Sequence, residues 1–310
     1  MTDEVLFDVR GPVGLITLNR QQALNALSLG GTYALLALGL AIVFSMMGLI
    51  NFAHGEIMSG AGYGLWFVIL VGLPFGLGIV AAVVTGLAIA VAMEKIAFRP
   101  VRSASPAALL LTSFAVSGIV QVLFQNLISP KGRPVAIPDM LTGSWTLGAL
   151  HVGTIQALSI IVTLALLVGL TIFFRRTRMG IAMRAAASDF DVARLMGIRA
   201  NAVIAEAFGV SGVLAGAAAT FWVAQRGSVD PLMGFLPVLK AFIAVIVGGL
   251  GSLEGAVAGG FLLGFIEIGL RAFLPDDLVA YREALTLALV ILILVLRPRG
   301  LMGRARESVR

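Results

Sequence analysis

The sequence LGGTYALLALGLAIVFSMMGLINFA, residues 29–53, contains no Asp, Glu, Lys or Arg. A helix crosses the hydrocarbon core of a bilayer with about 20 apolar residues, so this stretch is long enough to span a membrane. Three other stretches are equally free of charge: Val71–Met93, Pro106–Pro130 and Thr154–Phe174. Lipid is therefore the predicted surroundings of much of this chain.

Further apolar stretches contain one charge each or are shorter. They are Asn201–Gln225 with Glu206, Leu232–Leu253 with Lys240, Gly255–Leu270 with Glu267, the Gly-rich Ile57–Val68 and the final Ala284–Leu296. Together the stretches predict an all-α fold, a polytopic transmembrane helix bundle with roughly eight or nine membrane segments and broken or re-entrant helices.

The composition agrees with a membrane protein. The 310 residues are 59% hydrophobic and 12% charged, whereas soluble domains are about half apolar and about a quarter charged. The absence of Cys excludes a disulfide framework, a thiolate nucleophile and a Cys-based metal site. The two His are too few for a metal cluster, and we expect no metal.

The net charge of +6 comes from basic residues in short clusters between apolar stretches. Such clusters favour anchoring at a cytoplasmic membrane face over binding nucleic acid, and we expect no nucleic-acid partner. Clusters within 95–102, 175–199 and 297–310 predict that these segments, including the C-terminus, are cytoplasmic. The segments 129–153, 226–233 and 275–277, and residues 1 to about 27, are then extracytoplasmic.

Two polar breaks interrupt the apolar stretches. The first is INFAHGE, residues 50–56, and the second is VGGLGSLEG, residues 247–255. Paired interruptions in two halves indicate a transporter site, although chance similarity of Gly-rich segments explains them equally well. The first break fits either a broken helix that lines a translocation path or a plain cytoplasmic turn. The candidate path residues are Asn51, Phe52, His54, Gly55, Glu56, Gly249, Gly251 and Glu254.

The basic stretch 178–198 has helical periodicity. Its recurring positions are Ile181, Ala185, Ser188, Val192, Leu195 and Met196, and Gly180 and Gly197 bracket it as predicted turn residues. The spacing predicts a short amphipathic helix outside the membrane. Such a helix either lies on anionic lipid or docks on a partner protein.

Several of these segments resemble the LivH-type permease of branched-chain amino-acid ABC transporters. The similar segments are Leu27–Leu40, Gly48–Glu56, Ala97–Arg102, Arg178–Ile198, Gly248–Ser252 and Arg297–Leu301. They occur in the family's order from about Gln21 to the C-terminus. The NFAHGE motif and the stretch from Arg178 to Ile198 are far more specific than hydropathy.

The resemblance implies a bacterial inner-membrane importer in which this chain forms half of the pathway beside a related, LivM-type permease. It also implies two cytoplasmic ATPases and an extracytoplasmic amino-acid-binding protein. The loop 175–200 would couple to the ATPases through Arg178, Gly180, Arg184, Ala185, Asp189, Ala193, Leu195 and Gly197. No Gly-Lys-Ser or Gly-Lys-Thr occurs, so we expect no enzyme activity and no cofactor in this chain, with ATP bound by partners.

Other functions remain open from the residues. Related permeases carry urea, short amides or aromatic acids, so the choice of branched-chain amino acids as the substrate rests on the resemblance alone. An ion-driven secondary carrier would need acidic ion sites, for which Glu56, Glu206, Glu254 and Glu267 are candidates.

The N-terminal segment differs from a permease. Residues 4–27 resemble the first hairpin of an enoyl-CoA hydratase, with alternating Val5, Phe7 and Val9 and a second strand Leu15–Leu18. The rest of that fold has no room here, so we expect no hydratase activity. The predicted domains are an N-terminal extension, 1–27, a permease domain, 28–303, and a basic cytoplasmic tail, 304–310.

Overall fold

The structure is a computed structural model that describes residues 5–10, 13–18, 20–147, 150–298 and 300–302. The predicted tail, 304–310, lies outside these residues. The helices are α1 (Arg20–Met47), α2 (His54–Leu70), α3 (Phe75–Met93), α4 (Pro106–Leu127), α5 (Asp139–Thr142), α6 (Thr154–Arg176), α7 (Arg178–Ser188), α8 (Phe190–Leu195), α9 (Ala200–Arg226), α10 (Phe235–Gly248), α11 (Leu253–Phe273) and α12 (Arg282–Leu296). A π-helical turn, Glu94–Phe98, continues α3, and a 3₁₀ turn, Asp276–Tyr281, precedes α12.

The short strands form three antiparallel pairs. They are β1 (Val5–Arg10) with β2 (Val13–Leu18), β3 (Arg133–Pro134) with β6 (Ser228–Val229), and β4 (Ser144–Leu147) with β5 (Leu150–Gly153). Both strands of the N-terminal hairpin are therefore present, and the second begins at Val13, earlier than predicted. α1 begins at Arg20, so the predicted boundary after residue 27 falls inside this helix.

Seven helices of the described chain are long and apolar enough to cross a membrane, which confirms the predicted multi-pass helix bundle. Two further helices of the bundle are shorter. α2 has 17 residues and α10 has 14, so α10 rises only about 21 Å. The predicted broken helices are thus present, and each break adjoins one of these short helices.

The core lies around α1 and α9, which are mostly buried. α3, α4, α6 and α12 are mostly exposed and present apolar side chains outward, as at Leu111, Ile161 and Ile291. A soluble protein would not expose so many large apolar groups, whereas a bilayer solvates them.

Glycines allow the buried helices to approach closely. A Cβ on Gly86 of α3 would lie 2.5 Å from the Gly212 carbonyl oxygen of α9, and one on Gly216 would lie 2.8 Å from the Ala82 oxygen. Gly260 and Gly264 of α11 contact the α1 backbone in the same way. These Gly-rich stretches therefore pack tightly, as small residues commonly do between membrane helices.

The bundle has two ends with different polar groups. At one end, here called the basic end, the loop 99–105 contacts the start of α9, since Arg102 Nη1 lies 2.6 Å from Asn201 Oδ1. α7 and residues of the second break line a shared cavity at this end. The opposite end carries the segments 128–147, 150–153, 227–234 and 274–281, and β3 pairs with β6 there.

Candidate functional site

The first break is buried in the bundle. α1 ends at Met47, Gly48 adopts a φ of 63°, and α2 begins at His54 after an Ala53 N-cap. Asn51 and His54 are almost completely buried. Non-helical backbone at membrane depth needs such protein surroundings, so a broken helix describes this segment better than an exposed turn.

The polar side chains of the first break contact neighbouring helices. His54 Nδ1 lies 3.2 Å from Ser211 Oγ of α9. Glu56 Oε1 accepts hydrogen bonds from Ser117 Oγ, at 3.0 Å, and from Gln121 Nε2, at 2.7 Å, both on α4. Glu56 Oε2 has no hydrogen-bond partner among the described residues. A buried carboxylate is costly in a membrane protein, so this cluster is a functional candidate.

Phe52 and Gly55 connect this break to α10. The Phe52 ring stacks on Phe114 with centroids 4.4 Å apart and meets the edge of Phe242 at 5.3 Å. A Cβ on Gly55 would lie 2.7 Å from the Gly234 carbonyl oxygen, so the backbones touch where α10 begins. The short α10 is therefore held against the start of α2.

The second break forms a tight turn at the basic end. Gly249 and Gly251 adopt φ values of 111° and 85°, which favour glycine. Ser252 caps α11, since its Oγ accepts from the Gly255 N–H at 3.0 Å. The Leu301 N–H donates to the Val247 oxygen at 2.7 Å, so the C-terminal segment pairs with the end of α10.

The two breaks meet in space. Ile50 of the first break and Leu250 of the second line one small apolar cavity between α1 and α10. The two polar breaks seen in the sequence thus lie close together in the bundle. Whether any of the eight predicted path residues contacts substrate stays a prediction.

The predicted coupling segment forms two helices instead of one. Thr177 Oγ1 accepts from the Gly180 N–H, and Asp189 Oδ1 accepts from the Val192 N–H, each at 3.0 Å. Asp189 therefore ends α7 and is the N-cap of α8. Its side-chain hydrogen bond competes with a continuous helix, and helical periodicity does not reveal such a bond. Gly197, with a φ of 85°, is a turn residue as predicted, but Gly180 lies inside α7.

The surface of α7 and α8 exposes most of the predicted contact positions. These are Arg178, Arg184, Ala185, Asp189, Leu195 and Gly197. Leu195 and Met196 are 86% and 79% exposed. Gly180 and Ala193 are buried, and Gly180 packs on the backbone of Phe173 and Phe174. These two residues position the helices and present no surface to a partner.

A cavity of about 640 Å³ joins α7 to the second break. Arg184 and Ser188 of α7 line it together with Gly251 and Glu254. Met46, at the end of α1, also lines it. α7 and the second break therefore face each other across this cavity, beside the end of α1.

A polar cluster at the opposite end was missed by the sequence analysis, which treated Lys240 only as a lone charge and Glu267 only as an ion-site candidate. Lys240 Nζ lies 2.8 Å from Glu267 Oε1 and 3.2 Å from Glu283 Oε2. Tyr33 donates to Glu267 Oε2 at 2.8 Å. The detectable signal was one cation and one anion in adjacent apolar stretches.

The described residues contain no group of three or more His, Asp or Glu side chains that could hold a metal ion.

Most of this chain matches one family of known proteins. Residues 22–295 match the family described as branched-chain amino acid transport system / permease component.

Two relatives come from Escherichia coli K12. The chain is 35% identical to the high-affinity branched-chain amino acid transport system permease protein LivH, covering 92% of this chain and 95% of that protein. It is 25% identical to the permease protein LivM of the same system, and the similarity covers 90% of this chain and 69% of LivM.

A solved ABC transporter of the metal-chelate type, in an inward-facing conformation, has a TM-score of 0.50 at 18% identity. The similarity covers 90% of this chain and 87% of that chain, and it supports the fold alone. The match to the family model over residues 22–295 and the LivH similarity over nearly the whole chain decide the family. This chain belongs to the permease-component family of branched-chain amino acid transport systems.

Proposed function

We propose that this chain is the permease subunit of an ABC importer that moves branched-chain amino acids across the bacterial inner membrane. Separate chains bind and hydrolyse the ATP, and this chain itself is not an enzyme. The observation that carries the proposal is the exposed surface of α7 and α8 at the basic end. An ion-driven carrier needs no such docking surface.

The chemistry of this surface suits a protein partner. Ile181, Val192, Leu195 and Met196 are exposed apolar side chains, and Arg184 and Asp189 beside them are exposed charges. An apolar centre with charged neighbours is typical of a docking site. We assign the contacts to Arg178, Arg184, Ala185, Asp189, Leu195 and Gly197, which are exposed, and give Gly180 and Ala193 a positioning role.

The cavity behind α7 supports a coupling mechanism. When the ATPases close, α7 would move against Met46, Gly251 and Glu254, which line that cavity. Rigid helix shifts of this kind transmit conformational changes between subunits. The two breaks, which meet at Ile50 and Leu250, would then change the path beside α10.

The orientation follows from charge. The basic end carries Lys95, Arg99, Arg102 and the Arg residues of 175–199, so it faces the cytoplasm together with the C-terminus. The opposite end then faces outside and receives amino acid from a soluble binding protein. A second, related permease would complete the pathway, since LivH and LivM are by name both permease proteins of the high-affinity branched-chain amino acid transport system.

Co-purification from the native membrane tests this function. The tagged chain in detergent should retain two ATPases and a second permease. Leu195→Ser together with Met196→Ser should lose the ATPases, because both exposed apolar contacts disappear. Ile161→Ser, on the exposed face of α6, is the matched control and should retain them. A chain that purifies alone would contradict the proposal.

A further inference from the structure

A second large cavity lies at the opposite end, away from α7 and α8. Its volume is about 720 Å³, within the usual range for ligand pockets. Residues near the start of α6, the end of α9 and the start of α12 line it, together with residues of α1, α10 and α11. The Tyr33, Lys240, Glu267 and Glu283 cluster belongs to this wall.

The wall presents fixed charges of both signs. Lys240 is held between Glu267 and Glu283, and Arg282 Nη2 lies 3.3 Å from Glu283 Oε1. Arg226 lines the same cavity with its guanidinium carbon 4.0 Å from the centre of the Trp222 ring. An ammonium group and a carboxylate could thus each find an opposite charge in this space.

Two donors on this wall are unused. Trp222 is 7% exposed, and its Nε1 is buried without a hydrogen-bond partner in the part of the chain that the structure describes. Arg282 Nε is buried and unpartnered in the same sense. Buried donors normally have a hydrogen-bond partner, and each buried donor without a partner lowers the stability of the fold. Because both residues line the cavity, these two donors are the candidates to bind acceptor oxygens of a ligand.

Part of the remaining wall is apolar. Leu29, Ile155, Leu236, Pro237 and Ile268 line the cavity beside the charged groups. A molecule with a zwitterionic head and an aliphatic side chain matches both parts. A purely ionic ligand would leave the apolar part unused, and a purely apolar ligand would leave the charges unpaired.

We infer that this cavity binds an α-amino acid directly, through Trp222, Arg282 and Arg226 at the carboxylate and Glu283 and Glu267 at the ammonium. The inference rests on the proposed function and deepens it, because substrate recognition would then lie partly in the permease. Lys240 is a positioning residue, since it holds the two carboxylates at the cavity wall.

The competing explanation is purely structural. The cluster joins α1, α10, α11 and α12, and could serve only to hold these helices together. In that case its substitution would change thermal stability and leave the affinity for amino acid unaltered. Ligand affinity therefore distinguishes the two roles.

The experiment measures equilibrium binding of radiolabelled L-leucine to the detergent-purified importer without its binding protein. We expect saturable binding that unlabelled L-leucine displaces. We also expect weak displacement by 4-methylpentanoate, which lacks the ammonium, and by isoamylamine, which lacks the carboxylate. Trp222→Phe should raise the dissociation constant about tenfold or more, the usual effect of losing a hydrogen bond to a charged group.

Trp66→Phe is the matched control, because Trp66 lies on α2 against Tyr63 and should bind leucine as the wild type does. Glu283→Gln is the second variant, chosen because its side chain is 57% exposed and the substitution disturbs packing little. It should also weaken binding about tenfold. Wild-type affinity in both variants, or no saturable binding in the wild type, would overturn the inference. ATP-dependent leucine uptake by the same importer, reconstituted into proteoliposomes and supplied with its binding protein, would show that the proposed function survives.

Discussion

The Arg102 guanidinium lies 2.7 Å from Oε1 of Glu94, a carboxylate whose side chain has no exposed surface. Arg99 completes the site with its Nη2 at 2.8 Å from Glu94 Oε2. Since Arg102 also contacts Asn201, this carboxylate ties the end of α3 to the start of α9. The connection lies at the basic end, close to the surface that we assign to the ATPases.

We predict that Glu94→Gln lowers the melting temperature of the purified chain. The variant removes the buried charge that both arginines contact, so the ion pairs are lost and stability falls. The partial exposure of Arg99 and Arg102 reduces this loss. Glu206→Gln, at an exposed carboxylate of α9, is the control and should melt as the wild type does. Equal melting of all three proteins would contradict the role of Glu94.

A second prediction concerns the contact between α3 and α9. Gly212→Ala places a methyl group against the Gly86 backbone and the Ala90 side chain, whose Cβ lies 2.7 Å from the new position. Overpacking of this kind costs about 1–3 kcal/mol. Thermal unfolding in detergent should show the loss. Gly169→Ala on α6 meets no atom within 4 Å and serves as the control. A larger loss in the control would refute the close-contact explanation.

The third prediction concerns coupling. Arg184→Glu and Asp189→Lys should uncouple transport from ATP hydrolysis without loss of membrane insertion, because both residues are exposed on the docking surface. Asp189 is also the N-cap of α8, a role worth about 1 kcal/mol. Asp189→Asn keeps the cap and removes the charge, so it separates the two effects.

ATPase activity stimulated by the loaded binding protein is the readout for these variants. If charge matters, Asp189→Asn should also reduce the stimulation. If only the cap matters, Asp189→Asn should behave as the wild type does. Normal stimulated ATPase activity in both charge-reversal variants would rule out the coupling role.

The fourth prediction concerns the buried Glu56. Glu56→Leu removes the acceptor for Ser117 and Gln121 and should lower the melting temperature, since unsatisfied buried groups cost about 1–3 kcal/mol each. Glu56→Gln keeps an acceptor oxygen and should be more stable than Glu56→Leu. Comparison of leucine uptake in the two variants then tests the path role. Wild-type uptake by Glu56→Leu would remove Glu56 from the path.

Much of the fold was predictable because length and hydropathy determine which segments enter a membrane. The uncharged stretches correspond to helices α1, α3, α4 and α6, and Thr154–Phe174 falls within α6. The polar INFAHGE segment predicted the first break correctly, because polar groups are rare within membrane-spanning helices. Tight Gly packing was also predictable from the small residues around Gly212 and Gly255.

The remaining features depend on contacts between distant residues. The split of the coupling segment follows from one local hydrogen bond, between Asp189 and the Val192 N–H. The pairing of Lys240 with Glu267 and Glu283 needs the relative rotation of α10, α11 and α12, which periodicity does not fix. The strands at 133–134 and 228–229 pair across more than ninety residues, so neither sequence segment predicts them alone.

Uptake of radiolabelled L-leucine into proteoliposomes tests the central claim most directly. The vesicles contain this chain with its co-purified permease and ATPases, and are supplied with the binding protein outside and ATP inside. We predict uptake that requires ATP hydrolysis and the binding protein, and that an imposed proton or sodium gradient cannot replace. Leucine uptake by this chain alone, driven by an ion gradient without ATP, would contradict the account and identify a secondary carrier.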